Sequence, residues 1–385
     1  MLSLLDKVIH AVSIMSATVI IEHVPSRARS LDQILEYASK HNITNEMLIK
    51  VGLRMNGNLL FGSNQRCVAM LIAFKSIIDS IDHDRPLMKL QRLLKEAMDF
   101  LDFCRPLSVS MTNAYKLVKE EVLKLDQALT ERAIANLNVE QKPVSAATTA
   151  TTSETQQQNE PCDLNQECPR QLKTFIDRFI DEEIWSAQRG ICQNIETNIA
   201  NNDVILVYGC STIVQHVLLY AKMKGKLFKV IVVDSPPLFN GRRMLSFLND
   251  NSIDVSYTLI NSISFVIRRA TKVLLGANSM LANGCAMSHI GTSQIALMAK
   301  ASNVPTLLCC ETYKLSDRVY VDSFGCNEVD SGHELSPALK LRYDLTPPEF
   351  VSMVITEKSI VPAESVPAML RFRAEKTRAS VQRTH

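Results

Sequence analysis

Five short apolar runs between residues 203 and 311 constrain the fold more than any other feature of the sequence. They are rich in β-branched residues and show no polar alternation, which is typical of strands buried on both faces of a parallel sheet. Helix-length segments separate them, so strand and helix alternate. The alternation predicts a Rossmann-like, doubly wound α/β domain with right-handed crossovers at residues 201–370. The runs are 204–208, 230–233, 255–260, 273–275 and 306–310.

The carboxyl ends of the predicted strands hold few groups suited to acid, base or nucleophilic chemistry. Ligands of doubly wound sheets bind at these ends. No G-x-G-x-x-G follows the first run and no G-x-x-x-x-G-K-[ST] occurs, which disfavours a nucleotide-binding enzyme. We therefore predict a degenerate ligand crevice with no catalytic residue, no cofactor and no metal ion. Its predicted residues are Gly209, Cys210, Ser211, Asp234, Arg242, Asn278, Asn283 and Gly284.

The remainder of the chain is predicted to be mainly helical, with one low-complexity stretch. Apolar residues at helical spacing predict a bundle of several helices, interrupted at Arg105-Pro106 because proline disfavours a continuous helix. Residues 146–159 are almost all small or polar and predict disorder. The predicted organisation is a variable N-terminal segment 1–45, a helical domain 46–132, a disordered insert 133–170, a bridging helix 171–200 and, after the sheet domain, a basic tail 371–385.

Charge and cysteine usage indicate a cytosolic protein. The net charge of +2 gives no electrostatic reason to expect a membrane or a direct nucleic-acid contact. The cysteines show no paired C-x-x-C spacing, so we interpret them as reduced core residues. Charge interrupts the first residues too early for a signal peptide, and no apolar run approaches the ~20 residues of a membrane span.

Several separated motifs resemble those of the initiation factor 2B subunits, most closely those of the delta type. The wider family includes the alpha and beta subunits, methylthioribose-1-phosphate isomerase and ribose-1,5-bisphosphate isomerase. The resemblance covers about residues 46–370 apart from the predicted insert, and the motifs fall in the family order. They are GSNQRC at 62–67, CRPLS at 104–108, VILVYGCS at 204–211, VVDS at 232–235, LGANSMLANG at 275–284, CCETYK at 309–314 and DLTPPE at 344–349.

The resemblance implies that the catalytic groups of the isomerases are missing. Those enzymes use a cysteine at the end of the first strand and an aspartate in a G-A-D loop, and these positions fall on Gly209 and Asn278. An isomerase, or a sugar-phosphate sensor without catalysis, remains the alternative. Arg242, Arg243 and the amino end of a helix opened by Gly291-Thr292 are the groups that would then hold an anion.

The same resemblance implies a regulatory subunit of the guanine nucleotide exchange factor for initiation factor 2. The implied partners are the beta, alpha, gamma and epsilon subunits, together with initiation factor 2 and especially its phosphorylated alpha chain. The predicted subunit-interface residues are Tyr313, Lys314, Leu315, Leu339, Leu341 and Tyr343, and the predicted regulatory contacts are Asp181, Glu182 and Arg189.

Overall fold

A computed structural model describes residues 29–80, 86–140, 164–320, 322–323, 327–328 and 341–372. It has the predicted fold class, a helical region followed by a mostly parallel α/β sheet region. The helices before the sheet are α1 (Leu31–Lys40), α2 (Glu46–Asn56), α3 (Gly62–Asp79), α4 (Pro86–Cys104), α5 (Val109–Glu140), α6 (Leu164–Phe179), a π-helical segment (Ile180–Ser186) and α7 (Ala187–Ile195).

Two boundaries of the predicted organisation need correction. The segment 1–45 contains helix α1. Ser30 and Gln33 form a reciprocal capping box at its start, and its residue Ile34 is fully buried in the helical core. The predicted insert is wrong at both ends, because α5 extends to residue 140 and α6 begins at residue 164. Buried Cys168 and Leu172 give the start of α6 its packing. Residues 141–163, like the tail from residue 373, lie outside the described residues.

The predicted bridging helix is a continuous helical path from residue 164 to residue 198. Its first part packs in the helical core through Ile176, and its last part packs against the sheet through Ile191 and Ile195. The π-helical segment lies between these parts, where five-residue hydrogen bonding shifts the orientation of the following turns. One helical path therefore joins the two hydrophobic cores.

The α/β region contains two sheets. Its strands are β1 (Asp203–Tyr208), β2 (Phe228–Asp234), β3 (Asp254–Leu259), β4 (Lys272–Gly276), β5 (Ser279–Leu281), β6 (Ala286–His289), β7 (Thr306–Cys309), β8 (Leu315–Ser316), β9 (Tyr343–Thr346), β10 (Met353–Ile355) and β11 (Ile360–Val361). Its helices are α8 (Thr212–Met223), α9 (Gly241–Asp250), α10 (Ile263–Val266) and α11 (Thr292–Ala301).

The larger sheet follows the doubly wound pattern. Its order is β11-β10-β7-β4-β1-β2-β3, and all pairs are parallel except β10 with β11. Helices α8 and α9 cover one face and helices α10 and α11 cover the other. Alternate residues of β1, such as Leu206 and Val207, are buried in different cores. The runs in β1, β2, β4 and β7 are thus buried on both faces, as their lack of alternation predicted. The run in β3 is not, because β3 is an edge strand whose residues are half-buried or exposed.

The smaller sheet was not predicted. Its order is β8-β5-β6-β9, and its strands are two to four residues long. Such short strands are too brief to show a periodic hydrophobic pattern. Asn283 and Gly284 form the turn between β5 and β6, where Gly284 has a φ of +80°.

Candidate functional site

A crevice lies where the helical region meets the carboxyl end of the large sheet. Strands β1 and β4 are neighbours there, and the chain leaves them toward opposite sides of the sheet, which makes this the topological switch point. Residues 209–211 and 276–278 follow these two strands. A cavity of about 120 Å³ opens between them and helix α3, and its lining includes Arg66, Arg105, Cys210, Ser211, Asn278 and Arg342.

The loop after β1 offers no activated nucleophile. Gly209 has a φ of +57°, in the left-handed region that favours glycine, and its N–H donates to the Val233 carbonyl at 2.8 Å. Cys210 lines the cavity, and burial raises the pKa of its thiol to about 11. A thiol with this pKa is almost entirely protonated at neutral pH and is a poor nucleophile.

The loop after β4 places Asn278 in the cavity wall. Its side-chain Nδ2 is buried and has no hydrogen-bond partner among the described residues. An amide cannot act as a carboxylate base, but it can donate a hydrogen bond to a ligand oxygen. Gly276 precedes it, and a Cβ at that position would lie 2.1 Å from Ser211 Oγ, so only glycine allows these loops to pack closely.

Two buried arginines, the half-buried Arg342 and one glutamate form the main charge cluster of the crevice, which sequence reasoning missed. Arg105 Nε lies 3.1 Å from Glu328 Oε2, Arg66 Nη1 lies 3.7 Å from Oε1, and Arg342 Nε lies 3.9 Å from Oε2. The pKa of Arg66 is lowered to about 10, mainly because the guanidinium is buried and secondly because the positive charge of Arg105 is close to it. The arginines at 66 and 105 stand in the motifs at 62–67 and 104–108, the signal that could have identified them.

A second network joins helix α3 to the loop after β7. Asn64 donates to Glu311 Oε1 at 2.7 Å and accepts a 2.7 Å hydrogen bond from the Tyr313 hydroxyl. Lys314 Nζ lies 2.7 Å from Glu311 Oε2. Although burial alone would raise the pKa of Glu311, the Lys314 ammonium and these hydrogen bonds hold it below its usual range. The network fixes the helical region on the sheet.

This network overturns part of the predicted subunit interface. Tyr313, Lys314 and Leu315 are buried within the chain itself, where Asn113 donates to the carbonyl oxygens of Tyr313 and Leu315 at 2.9 and 2.8 Å. A side chain buried against its own helical region cannot contact a partner. Their mixed aromatic and aliphatic character comes from this internal packing.

The other predicted interface residues have three different settings. Tyr343 is also buried, in β9, and its N–H donates to Asn327 Oδ1 at 2.9 Å. Leu341 is half-buried beside it. Leu339 lies outside the described residues.

The remaining predicted crevice residues do not all meet in the cavity. Asp234 is buried at the end of β2 and accepts hydrogen bonds from the Tyr257 hydroxyl at 2.8 Å and from the Ser235 N–H at 2.9 Å. Arg242 is exposed and stacks on the Phe239 ring at 4.6 Å. Of the eight predicted crevice residues, Cys210, Ser211 and Asn278 line the cavity. Gly209, Asp234 and Arg242 do not line it, and the unpredicted hairpin places Asn283 and Gly284 elsewhere.

The amino end of α11 is occupied by a side chain of the protein. Asp344 Oδ2 accepts hydrogen bonds from the N–H groups of Gly291 and Ser293 at 2.8 and 2.9 Å. Burial raises the pKa of Asp344 to about 7 against the opposing effect of these donors. This helix end is consequently not available to a ligand anion, contrary to the expectation for Gly291-Thr292.

The three predicted regulatory contacts are all accessible to solvent. Asp181 and Glu182 are exposed in the π-helical segment, and Arg189 is exposed two turns later in α7. Trp185 lies between them and is 43% exposed. Charged side chains around an exposed tryptophan are a common composition for a protein contact.

The fold and the crevice together define a Rossmann-like protein whose ligand crevice is closed by a helical region. Within this class, residues 60–363 match the initiation factor 2 subunit family, and the chain belongs to that family. No helix in the described segments combines the length and apolar character needed to cross a bilayer.

Sequence relatives include delta subunits of translation initiation factor eIF2B and archaeal isomerases. The chain is 33% identical over 351 residues to the eIF2B delta subunit of Schizosaccharomyces pombe, covering 84% of this chain and 68% of that protein. It is 31% identical to the delta subunit of Dictyostelium discoideum, covering 85% of this chain but only 51% of that protein. The ribose 1,5-bisphosphate isomerase of Methanocaldococcus jannaschii is 32% identical, over 52% of this chain and 68% of the isomerase.

Structural comparison extends the similarity to most of the fold. A chain of the tetrameric eIF2B-beta2-delta2 complex from Chaetomium thermophilum superimposes with a TM-score of 0.72 at 26% identity. The match covers 88% of this chain and 97% of the other. Both the helical region and the sheet region therefore have counterparts in a known assembly.

Proposed function

We propose that this chain is a non-catalytic regulatory subunit of the guanine nucleotide exchange factor for translation initiation factor 2. The observation that supports it most directly is the similarity to delta subunits over 84–85% of the chain, whereas the isomerase similarity covers about half. We further propose that the protein acts in the cytosol.

The chemistry of the crevice supports a role without catalysis. Gly209 and Asn278 stand where the family isomerases have a thiol and a carboxylate, and the nearby Cys210 thiol has a raised pKa. We expect no turnover of ribose 1,5-bisphosphate or methylthioribose-1-phosphate by the purified chain. The control is Cys210→Ala, and turnover clearly above that control would refute the proposal in favour of the isomerase alternative.

Assembly with the other subunits is the second part of the proposal. The tetrameric complex containing beta and delta chains supports beta as a direct partner, and alpha, gamma and epsilon are proposed to complete the exchange factor. Co-expression with the beta subunit and light scattering test this part. We expect a stable complex of two copies of each chain, while persistent monomers at micromolar concentration would contradict it.

Regulation by the phosphorylated alpha chain of initiation factor 2 is the third part. The exposed surface formed by Asp181, Glu182, Trp185 and Arg189 supports it, because these residues are accessible and face away from the two cores. In the reconstituted complex, Asp181→Lys/Glu182→Lys should weaken inhibition by the phosphorylated factor and leave basal exchange unchanged. We expect a loss of roughly 1–3 kcal/mol of coupling, about five- to 150-fold in inhibitor affinity.

A matched control separates this contact from a general charge effect. Glu120 and Glu131 are exposed on α5, and Glu120→Lys/Glu131→Lys introduces the same charge change at another surface of the helical region. Inhibition should persist in this control. If the 181/182 variant is inhibited as strongly as the wild type, the proposed surface is wrong. That result would not contradict the assignment as a subunit, which the co-expression with the beta subunit tests separately.

Non-catalytic binding of a sugar phosphate is a second candidate function. The cavity favours it through its excess of buried positive charge and through two donors without partners among the described residues, Arg342 Nη1 and Asn278 Nδ2. Isothermal titration with ribose 1,5-bisphosphate and with inorganic phosphate tests it. Saturable binding that Asn278→Leu weakens at unchanged melting temperature would support it, and absence of heat at millimolar ligand would exclude it.

A further inference from the structure

The edge of the large sheet opposite the crevice has an unusual concentration of positive charge. Parallel strands all begin at one edge, and the crossover helices of a doubly wound sheet end there. The end of α8, the start of β2 and the segment before β4 therefore lie along this edge. We name it the basic edge, defined by Lys222, Lys224, Lys226, Arg268 and Arg269.

These five cations are not neutralised locally. Within the described part of the chain, none of them forms an ion pair with a carboxylate. Among the carboxylates of this edge, Asp254 pairs with Lys229 at 3.1 Å, Asp203 pairs with Lys272 at 2.7 Å and Glu196 accepts a hydrogen bond from the Tyr220 hydroxyl at 3.3 Å. Asp250, at the end of α9, is exposed. The basic edge therefore has a local excess of positive charge, which attracts an anionic partner.

Three large apolar side chains lie among these charges. Met223 is 77% exposed, Leu227 is 66% exposed and Phe265 is 70% exposed. The fold holds the Leu227 backbone in place, since its N–H donates to Asn201 Oδ1 at 3.0 Å and its carbonyl accepts from the Asn202 N–H at 2.7 Å. A backbone that is already fixed lowers the entropy cost of ordering this residue on binding. Exposed methionine and aromatic residues together with arginine are typical of interface cores.

The spacing of the charges suits a short extended peptide. Strand β1 separates β4 from β2, and the two groups of cations stand at the ends of helices α8 and α10, which cover opposite faces of the sheet. With one helix layer on each face, the two groups are roughly 20 Å apart. About six or seven extended residues span that distance.

We infer that the basic edge, together with Met223, Leu227 and Phe265, is a docking surface for an acidic protein segment with large apolar residues among its carboxylates. A single-stranded nucleic acid fits less well, because base stacking needs free aromatic faces and Phe265 already stacks with Arg269 at 5.3 Å. The seven residues of β2 place this surface roughly 20 Å from the crevice. The inference is independent of the proposed function.

Fluorescence anisotropy with the full chain tests this inference. The probe is a labelled ten-residue peptide of glutamates and aspartates with one leucine and one phenylalanine. We expect saturable binding that weakens as salt rises from 50 to 300 mM. Lys224→Glu/Lys226→Glu should weaken it about tenfold through like-charge repulsion. Met223→Ser/Leu227→Ser should weaken it several-fold at unchanged salt dependence, because it removes apolar contacts and leaves the charges.

The matched control is Lys40→Glu/Lys89→Glu, which reverses two exposed lysines of the helical region and should bind the peptide like the wild type. The inference is overturned if the acidic peptide shows no saturable binding, or if the 224/226 variant binds as well as the control. It is also overturned if a ten-nucleotide single-stranded RNA binds more tightly than the acidic peptide. Circular dichroism of each variant verifies that the fold is retained.

Discussion

Replacing Glu328 by glutamine tests the charge cluster that links the helical region to the sheet. The glutamate carboxylate lies 3.1 to 3.9 Å from three guanidinium groups, those of buried Arg66 and Arg105 and of half-buried Arg342. At an effective dielectric constant of 20, one such contact is worth about 4 kcal/mol. The three attractions do not add fully to the stability, because repulsion among the arginines and the cost of removing the charged groups from water oppose them. Removing one member of a buried pair generally costs about 3–5 kcal/mol, which is our expectation for Glu328→Gln.

Urea unfolding of the full chain, followed by circular dichroism, measures this loss. Glu349→Gln is the control, since Glu349 is exposed in the same region and the substitution removes the same charge. Arg105→Met in the Glu328→Gln background should recover part of the stability, because it removes an uncompensated buried cation. A loss below about 1 kcal/mol for Glu328→Gln, or no recovery in the double variant, would refute the view that the glutamate holds this cluster together.

Three further outcomes test the packing and the titration of buried groups. The folded-state pKa of Asp344 is raised to about 7, so ionisation of this group should cost stability as pH rises from 5 to 7, by roughly 2–3 kcal/mol. Asp344→Asn should flatten that dependence in urea titrations at each pH, and an unchanged slope would contradict it. Tyr313→Phe removes the hydrogen bond to Asn64 and should lower the free energy of unfolding by about 1–2 kcal/mol; a neutral effect would show that the bond is dispensable. A Cβ at Gly241 would lie 2.6 Å from Asp234 Cγ, so Gly241→Ala should destabilise by about 1–3 kcal/mol in thermal melts, and wild-type stability would show that Asp234 moves freely.

Local sequence patterns predicted the main elements of the sheet region well. Each of the five apolar runs is a strand of the large sheet, and the segments at 212–224, 241–249 and 291–301 correspond closely to α8, α9 and α11. The hydrophobic residues of four of these strands are buried on both faces and those of the helices on one face, so the hydrophobic pattern reports these elements directly. A cavity lies at the common edge where the parallel strands end, which is the edge at which ligands of doubly wound sheets bind.

The charge cluster and the small sheet could not be read from the same patterns. Arg66 and Glu328 are 262 positions apart in sequence, and no local signal shows that they share a buried contact. The burial of Tyr313 likewise depends on helix α3, through Asn64. From the sequence we predicted that this tyrosine contacts another subunit. In the structure it instead contacts helix α3 of the same chain.

The sequence by itself therefore determined the order of the main helices and strands and the doubly wound topology of the large sheet, and it places glycine and asparagine at positions 209 and 278. Those properties depend on the identity and spacing of neighbouring residues. The tertiary structure decided which groups are buried together, which helix end is capped by Asp344 and which surfaces stay exposed. Burial and pairing depend on contacts between distant segments, and these contacts exist only once the helical region has packed on the sheet.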